Sequence, residues 1–268
     1  MRIKYSVLTH DFGSDYPARN LLIFKLTRSL LLFRNLIFIL LVSFFTGCEK
    51  QIIETPTPPS PVIALTFDDG PDPVYTGMIL NILKGKNVKA TFFLIGNKMK
   101  RYPKTTKRIF DEGHTVANHT SDHIRMTGKS CKEALKNIML TEKIIDSLCG
   151  NTRKLFRPPW GSVTQEQKDS LSQKGFKMIL WNVDSKDFAN QKYSPDMIVD
   201  IVSHEAQNND IILFHDSDYK GKKSRMNTVI ALPQIIDILK SKGYVFKKAE
   251  ELTNNSNVTR TDESLLRE

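Results

Sequence analysis

From Val62 onward the chain alternates short apolar runs with longer stretches in which apolar residues recur every three or four positions. The short runs are Val62–Phe67, Ala90–Ile95, Thr115–Asn118, Leu155–Arg157, Met178–Val183, Ile211–Phe214 and Tyr244–Phe246. Their length and their β-branched and aromatic content predict buried strands. The periodic stretches 74–85, 104–112, 131–148, 164–174, 195–207 and 227–242 predict amphipathic helices. Pro103, Thr164 and Ser194-Pro195 are start signals, and Gly113, Gly175 and Gly243 stand where helices should stop. Ser130-Cys131-Lys132-Glu133 reads as a capping box. It places Cys131 and Cys149 at opposite ends of one helix, about 27 Å apart at about 1.5 Å per residue. A disulfide needs Cα atoms within about 7 Å, so none is expected between them. The alternation predicts an α/β fold of parallel strands with right-handed crossovers. Seven strands and six helices fit either an open doubly wound sheet or a barrel of fewer than eight units.

Before residue 62 the pattern is different. Residues 1–47 hold Arg2, Lys4, Arg19, Lys25, Arg28 and Arg34 against Asp11 and Asp15, and a short apolar core runs from Leu36 to Phe45. That core suits a signal peptide and is too short to span a bilayer alone. Thr46-Gly47-Cys48 follows it. The arrangement resembles a bacterial lipoprotein signal, in which Cys48 would be lipidated and become the first residue of the mature chain. Phe45 departs from the usual Leu of that pattern, and the basic region is long. An uncleaved anchor over 29–45 and plain secretion are the alternatives. Pro56, Pro58, Pro59 and Pro61 then make a stiff, extended spacer. The expected organisation is a signal peptide over 1–47, a linker over 48–61, one folded domain over 62–252 and a polar tail over 253–268.

Composition narrows the class of protein. With 40 % apolar and 25 % charged residues among 268, a globular chain is expected. Three cysteines are too few for a disulfide scaffold, and no CxxC zinc knuckle exists. The net charge is +10, of which the first 47 residues carry +4. The remaining +6 is spread out, with no aromatic-interleaved basic stripe, so nucleic-acid binding is not predicted.

Unusual polar residues follow the predicted strands. Strand one ends in Thr66-Phe67-Asp68-Asp69-Gly70-Pro71, and strand three runs into Asn118-His119-Thr120-Ser121-Asp122-His123. Strand four ends in Arg157-Pro158-Pro159-Trp160-Gly161, strand five in Asp184-Ser185-Lys186-Asp187-Phe188, and strand six in Leu213-Phe214-His215-Asp216. Parallel α/β folds build their sites at these C-terminal strand ends. Two histidines four apart, read as one side of a helical turn, would make with one carboxylate a metal site with open positions. Each segment alone has an ordinary reading: surface histidines, a DDG turn, a surface arginine, a core histidine, or a helix N-cap at Asp184. His114 is read as structural.

Taken together and in order, the five segments resemble the motifs TFDDGP, H-[ST]-xx-H, RPPxG, DxxDW and LxHD of the polysaccharide deacetylase family, carbohydrate esterase family 4. They span nearly all of 62–250. The resemblance implies a deformed (β/α) barrel of about seven parallel strands with its groove at the C-terminal strand ends. It implies Asp69, His119 and His123 as ligands of a divalent metal, Zn²⁺ first, with Co²⁺ or Ni²⁺ as alternatives. It implies Asp68 as general base with Arg157 as its charge partner, and His215 as general acid oriented by Asp184. Pro158, Trp160, Phe188 and Leu213 would border the substrate, Trp160 through its backbone N–H. Phe188 stands where the family usually has Trp, and Trp160 where Tyr is frequent.

The expected activity is removal of N-acetyl groups from N-acetylglucosamine units of a polysaccharide. An O-acetyl esterase of xylan type and a non-catalytic glycan-binding lipoprotein are the alternatives. The expected partners are a polysaccharide and, through a lipid on Cys48, a membrane. The expected state is a monomer in the cell envelope, facing away from the cytoplasm.

Overall fold

The computed structural model describes residues 59–150 and 153–252. The basic and apolar segment, Cys48, the spacer up to residue 58 and the polar tail 253–268 lie outside the described residues. The described residues form eight strands: β1 Val62–Asp68, β2 Thr91–Leu94, β3 Thr115–Asn118, β4 Leu155–Phe156, β5 Lys177–Met178, β6 Val183–Asp184, β7 Asp210–His215 and β8 Val245–Lys247. The helices are α1 Tyr75–Gly85, α2 Gly96–Arg101, α3 Pro103–Asp111, α4 Cys131–Cys149, α5 Gln165–Gln173, α6 Pro195–Glu205, α7 Met226–Ser241 and α8 Ala249–Leu252. None of them is long and apolar enough to cross a membrane.

Every strand pair is parallel, in the order β5-β4-β3-β2-β1-β7-β6. β7 pairs β1 from Ile63 to Asp68, so β8 at Val62–Ala64 and β2 at Thr66–Asp68 share the opposite edge of β1. The outermost strands, β5 and β6, are joined by residues 179–182 alone. That link reaches at most about 18 Å. Seven strands laid flat, about 4.8 Å apart, would separate the same edges by about 29 Å. The sheet therefore curls into a barrel, which decides between the two architectures that the alternation left open. The single strand expected over Met178–Val183 is a correction: it is two short strands on opposite sides of the barrel seam.

Side-chain alternation along β1 sorts the core. Ile63, Leu65 and Phe67 point outward, into a cluster with Ile79 and Leu83 of α1 and Ile235 of α7. Ala64 points inward, with Phe93, Ala117, Leu155, Ile179 and Ile211. α8 closes the N-terminal end of the barrel. Glu250 accepts hydrogen bonds from Thr91 and Thr115, the first residues of β2 and β3, at 3.1 and 2.5 Å. Ala249 and Leu252 join the inner cluster.

The helix ends follow the sequence signals. Ser130 and Glu133 form a capping box, as do Thr164 and Gln167, and Ser194 caps Met197 N–H. α4 separates Cys131 from Cys149, and both are free thiols. Burial pushes the Cys149 thiol up to about 11. α2 has no apolar stripe to announce it. It packs through Gly96, where a Cβ would lie 2.7 Å from Thr141 Oγ1 of α4.

Candidate active site

Asp68 and His215 end β1 and β7 and are register partners, so a carboxylate and an imidazole stand side by side at the barrel mouth. Asp68 alternates inward after Ala64 and Thr66. Below it lies Arg157, the residue after β4, fully buried. One guanidinium nitrogen of Arg157 donates to Asp68 Oδ1 and to Thr66 Oγ1, each at 2.8 Å. The other two donate to the carbonyls of Ile179 and Leu180 at 3.0 and 2.9 Å. Arg157 thus pins the seam of the barrel and fixes the Asp68 carboxylate at once. Its guanidinium also lies 4.0 Å from the centre of the Phe93 ring.

Asp69 turns away from the strand with φ 74°. It faces Nε2 of His123 at 3.1 Å and Nε2 of His119 at 3.5 Å. The two histidines do not sit on a helical turn, which corrects the geometry read from their spacing. The segment after β3 is a loop in which Thr120 and His123 have φ of 65° and 52°. Asn118 shapes that loop. Its Oδ1 accepts from Thr120 N–H at 3.0 Å, and its Nδ2 donates to Ile138 C=O and Glu142.

His119 Nδ1 donates to Arg157 C=O at 2.8 Å, which leaves a lone pair on Nε2 toward Asp69. One ligand atom from each of Asp69, His119 and His123 lies within 4.8 Å of the others. Burial disfavours the Asp69 charge, but the two facing imidazoles outweigh it and hold the carboxyl well below its usual range. Burial also lowers His123, against the pull of Asp69. Asp69 Oδ1 is buried with no hydrogen-bond partner among the described residues. Two imidazole nitrogens and an unpartnered buried carboxylate oxygen, converging on one point, fit a divalent ion such as Zn²⁺, Co²⁺ or Ni²⁺.

His215 is held by Asp187, and this corrects the expected role of Asp184. His215 Nδ1 donates to Asp187 Oδ1 at 2.7 Å, and His215 N–H donates to Asp187 Oδ2 at 2.8 Å. Thr228 fixes the same carboxylate at 2.7 Å. Burial works against a charged His215, but the Asp187 carboxylate outweighs it and raises the imidazole to about 9. Asp187 is lowered in turn: its burial is overcome by His215 and by Arg225. Asp184 pairs with Leu213 in the β6–β7 ladder and accepts from Lys186 N–H at 2.8 Å and Lys186 Nζ at 3.2 Å. Its carboxylate caps its own turn, and the left-handed Lys186 (φ 61°) then carries the chain to Asp187.

A cleft of about 400 Å³ opens over these groups, and Asp68, Asp69, His119, His123 and His215 line it. Leu213, Trp160 and Phe188, three of the residues that the resemblance implies at the substrate, are on its wall. The Phe188 ring meets His215 edge-on at 6.1 Å. Pro158 is buried beneath the turn, and Trp160 (φ 55°) stands exposed at the rim, its ring 4.3 Å from His123. Trp181, Asp218, Tyr219, Lys223 and Arg225 also line the cleft, and the sequence reading missed them. A Tyr in an otherwise polar loop six residues after Leu213 was the available signal. His114, read as structural, is buried away from this cleft. It accepts from Ala90 N–H at 3.1 Å and is lowered to about 4 by burial.

Comparison with known proteins agrees with this geometry. A family model described as polysaccharide deacetylase matches residues 55–179. A peptidoglycan-N-acetylglucosamine deacetylase of Bacillus cereus is 37 % identical over 193 residues, covering 71 % of this chain and 87 % of that protein. The peptidoglycan-N-acetylmuramic acid deacetylase PdaC of Bacillus subtilis is 42 % identical over 163 residues, which cover 61 % of this chain and 34 % of PdaC. The solved structure of peptidoglycan deacetylase PdaC from Bacillus subtilis superposes with a TM-score of 0.66 at 37 % identity, covering 74 % of this chain and 92 % of that one.

Proposed function

We propose that this chain, which belongs to the polysaccharide deacetylase family, is a metal-dependent N-deacetylase acting on N-acetylglucosamine units of a cell-envelope polysaccharide, peptidoglycan first. The observation that carries the reading is one cleft holding a carboxylate fixed by a buried arginine, an imidazolium fixed by a buried carboxylate, and a three-residue metal site between elements of the same barrel mouth. The names of the relatives favour peptidoglycan as the polymer.

Asp69, His119 and His123 would hold the ion. When bound, it would supply Lewis-acid polarisation of the acetyl carbonyl and make water a stronger nucleophile. Asp68 takes a proton from the water as its oxygen attacks the carbonyl carbon. The Trp160 backbone N–H, at the rim of the cleft, supports the developing oxyanion; one such donor is typically worth about 3–4 kcal/mol of barrier. His215 gives its proton to the nitrogen as the C–N bond breaks, and acetate and a free amine leave. An amine leaving group must be protonated as it departs, whereas an alkoxide needs less help.

The test is acetate release from peptidoglycan, chitin oligomers and acetylated xylan, with chelator and with added Zn²⁺. Release from the N-acetylated polymers that chelator abolishes and Zn²⁺ restores is expected. Release from xylan alone overturns the N-deacetylase reading, and metal-independent release overturns the metal site. The Cys48 pattern and the proline spacer support a chain exported from the cytoplasm and tethered to a membrane by lipid. Cys48→Ser should then abolish acyl labelling and leave an unprocessed precursor.

A further inference from the structure

The two histidines of the metal site are held in different ways. His119 Nδ1 donates to Arg157 C=O at 2.8 Å, which fixes the orientation of the ring and the proton on Nδ1 together. His123 has no such bond. Its Nε2 faces Asp69 at 3.1 Å, but its Nδ1 is buried with no hydrogen-bond partner among the described residues. The loop around it is tied through its neighbours instead. Ser121 N–H donates to Asn137 Oδ1 at 2.6 Å, and Asn137 Nδ2 donates to Asp122 Oδ2 at 3.0 Å. Those bonds hold the backbone and leave the imidazole free to turn about the bond that joins it to Cβ.

What meets the His123 ring is aromatic. Tyr219 lies nearly parallel to it, at 22° with centroids 4.4 Å apart, and Trp160 crosses it at 67° with centroids 4.3 Å apart. Tyr219 and Trp160 also meet each other edge-on at 5.8 Å, so the three rings close on themselves. Tyr219 and Trp160 are 37 % and 38 % exposed, and His123 beneath them 9 %. With one ring on its face and another across it, the imidazole cannot turn without pushing one of them aside.

Tyr219 itself stands on a fixed support, the loop from Ser217 to Arg225 between β7 and α7. Asp218 Oδ2 accepts from the backbone N–H of Lys222 and of Lys223 at 2.8 and 3.3 Å, and its Oδ1 faces a nitrogen of the buried Arg225 guanidinium at 3.6 Å. Arg225 Nε donates to Ser217 C=O at 2.8 Å. From α2, Lys98 Nζ donates to Ser217 Oγ at 2.7 Å and to Asp218 C=O at 2.6 Å. These bonds fix the backbone on both sides of Tyr219. Burying ions carries a large desolvation penalty, and a loop that merely joined a strand to a helix would need none of them. What they secure here is a ring held still against His123.

We propose that Tyr219 is a positioning residue of the metal site: its ring, together with that of Trp160, keeps the His123 imidazole turned with Nε2 toward the ion, the task that a hydrogen bond performs for His119. The inference rests on the metal site of the reading above and adds to it a residue that acts through His123. The flat face of the side chain does this, and the hydroxyl has no part in it.

Zn²⁺ binding to the full chain stripped of metal tests it, measured by competition with a chromophoric chelator of known affinity. Tyr219→Ala should raise the Kd for Zn²⁺ about tenfold, the lower end of what the loss of an outer partner costs a metal-bound histidine. Tyr219→Phe keeps the stacked face and should bind as the wild type does. Without metal, both variants should melt where the wild type melts, because the side chain stands at the surface, so the change in Kd is not a loss of folding. A wild-type Kd in Tyr219→Ala, or a Kd raised as much in Tyr219→Phe, overturns the role of the ring and leaves the metal site standing. A wild-type chain that binds no Zn²⁺ overturns the metal site and the role of Tyr219 with it.

Discussion

Replacing Asp187 with Asn keeps the shape of the side chain and removes its charge. Asn can still accept from His215 Nδ1 through its Oδ1, but its NH2 then faces the His215 backbone N–H, which loses its acceptor, so part of the loss will be the same at every pH. What changes is the balance at His215, where burial lowers the pKa and the Asp187 carboxylate more than offsets it, giving about 9 against an ordinary 6.5. Without the charge, burial is opposed only by the Asp69 carboxylate, and His215 should fall to near its ordinary 6.5. At pH 7.5 an imidazole of pKa 9 is about 97 % protonated, and one of pKa 6.5 about 9 %. If His215 is the general acid, Asp187→Asn should therefore lose about tenfold at pH 7.5 through protonation alone. At pH 5.5 both forms are more than about 90 % protonated, and this part of the loss should vanish. The ratio of variant to wild-type kcat/KM, measured by acetate release from pH 5 to 10, isolates the effect. The acidic limb is common to both proteins, and a bound cation would lower His215 in both. Asp184→Asn is the control: Asp184 caps its own turn, so the alkaline limb should stay where it is. An alkaline limb that ignores Asp187→Asn, or one that moves down in Asp184→Asn, would refute the assignment.

The same imidazole bears on stability. A His raised from 6.5 to about 9 in the fold adds stability that is fully present below pH 6.5 and lost as pH rises through about 9. Wild-type melting temperature should fall over that window, and that of Asp187→Asn should not. Zn²⁺ at about a hundred times its Kd should stabilise the protein by about 2.7 kcal/mol. In a domain of this size that raises the melting temperature by roughly 5–10 °C, and Asp69→Ala should show no such rise. Arg157→Ala strands a buried Asp68 carboxylate and should cost about 3–5 kcal/mol; an unchanged urea midpoint would show that the pair contributes nothing. In Gly70→Ala the new Cβ would fall 2.1 Å from Asp216 Oδ2, so a sharp loss of thermal stability is expected, measured by calorimetry.

β1 and β7 were legible because each is long and apolar and runs straight into its functional residue, Asp68 or His215. The capped helices α4, α5 and α6 were legible because Ser130, Thr164 and Ser194 act locally, on backbone groups three residues away. β5 and β6 were not, because each is two residues long and ordered by its neighbour, not by its own pattern. The run Met178–Val183 is apolar because it crosses the closed seam over Arg157, and burial alone does not tell a strand from a link. The histidine pair fails as a helical turn for a related reason. Asn118 and Glu142, 24 residues apart, set the loop that aims it, and spacing within His119–His123 carries no trace of that contact.

Asp184 and Asp187 show the limit most sharply. Both are carboxylates after the same strand, and either could reach a histidine. What separates them is the turn between them. Asp184 accepts the N–H of Lys186 two residues on, a local preference of Asp that competes with any distant partner. Lys186 then takes a left-handed conformation, and the next residue is carried under β7, where Asp187 meets both the ring and the backbone of His215. A two-residue reach is written in the sequence as an Asp followed by a turn. The register of β6 on β7, which decides which carboxylate arrives beneath the histidine, belongs to the closed barrel and is set only when Asp184 pairs with Leu213.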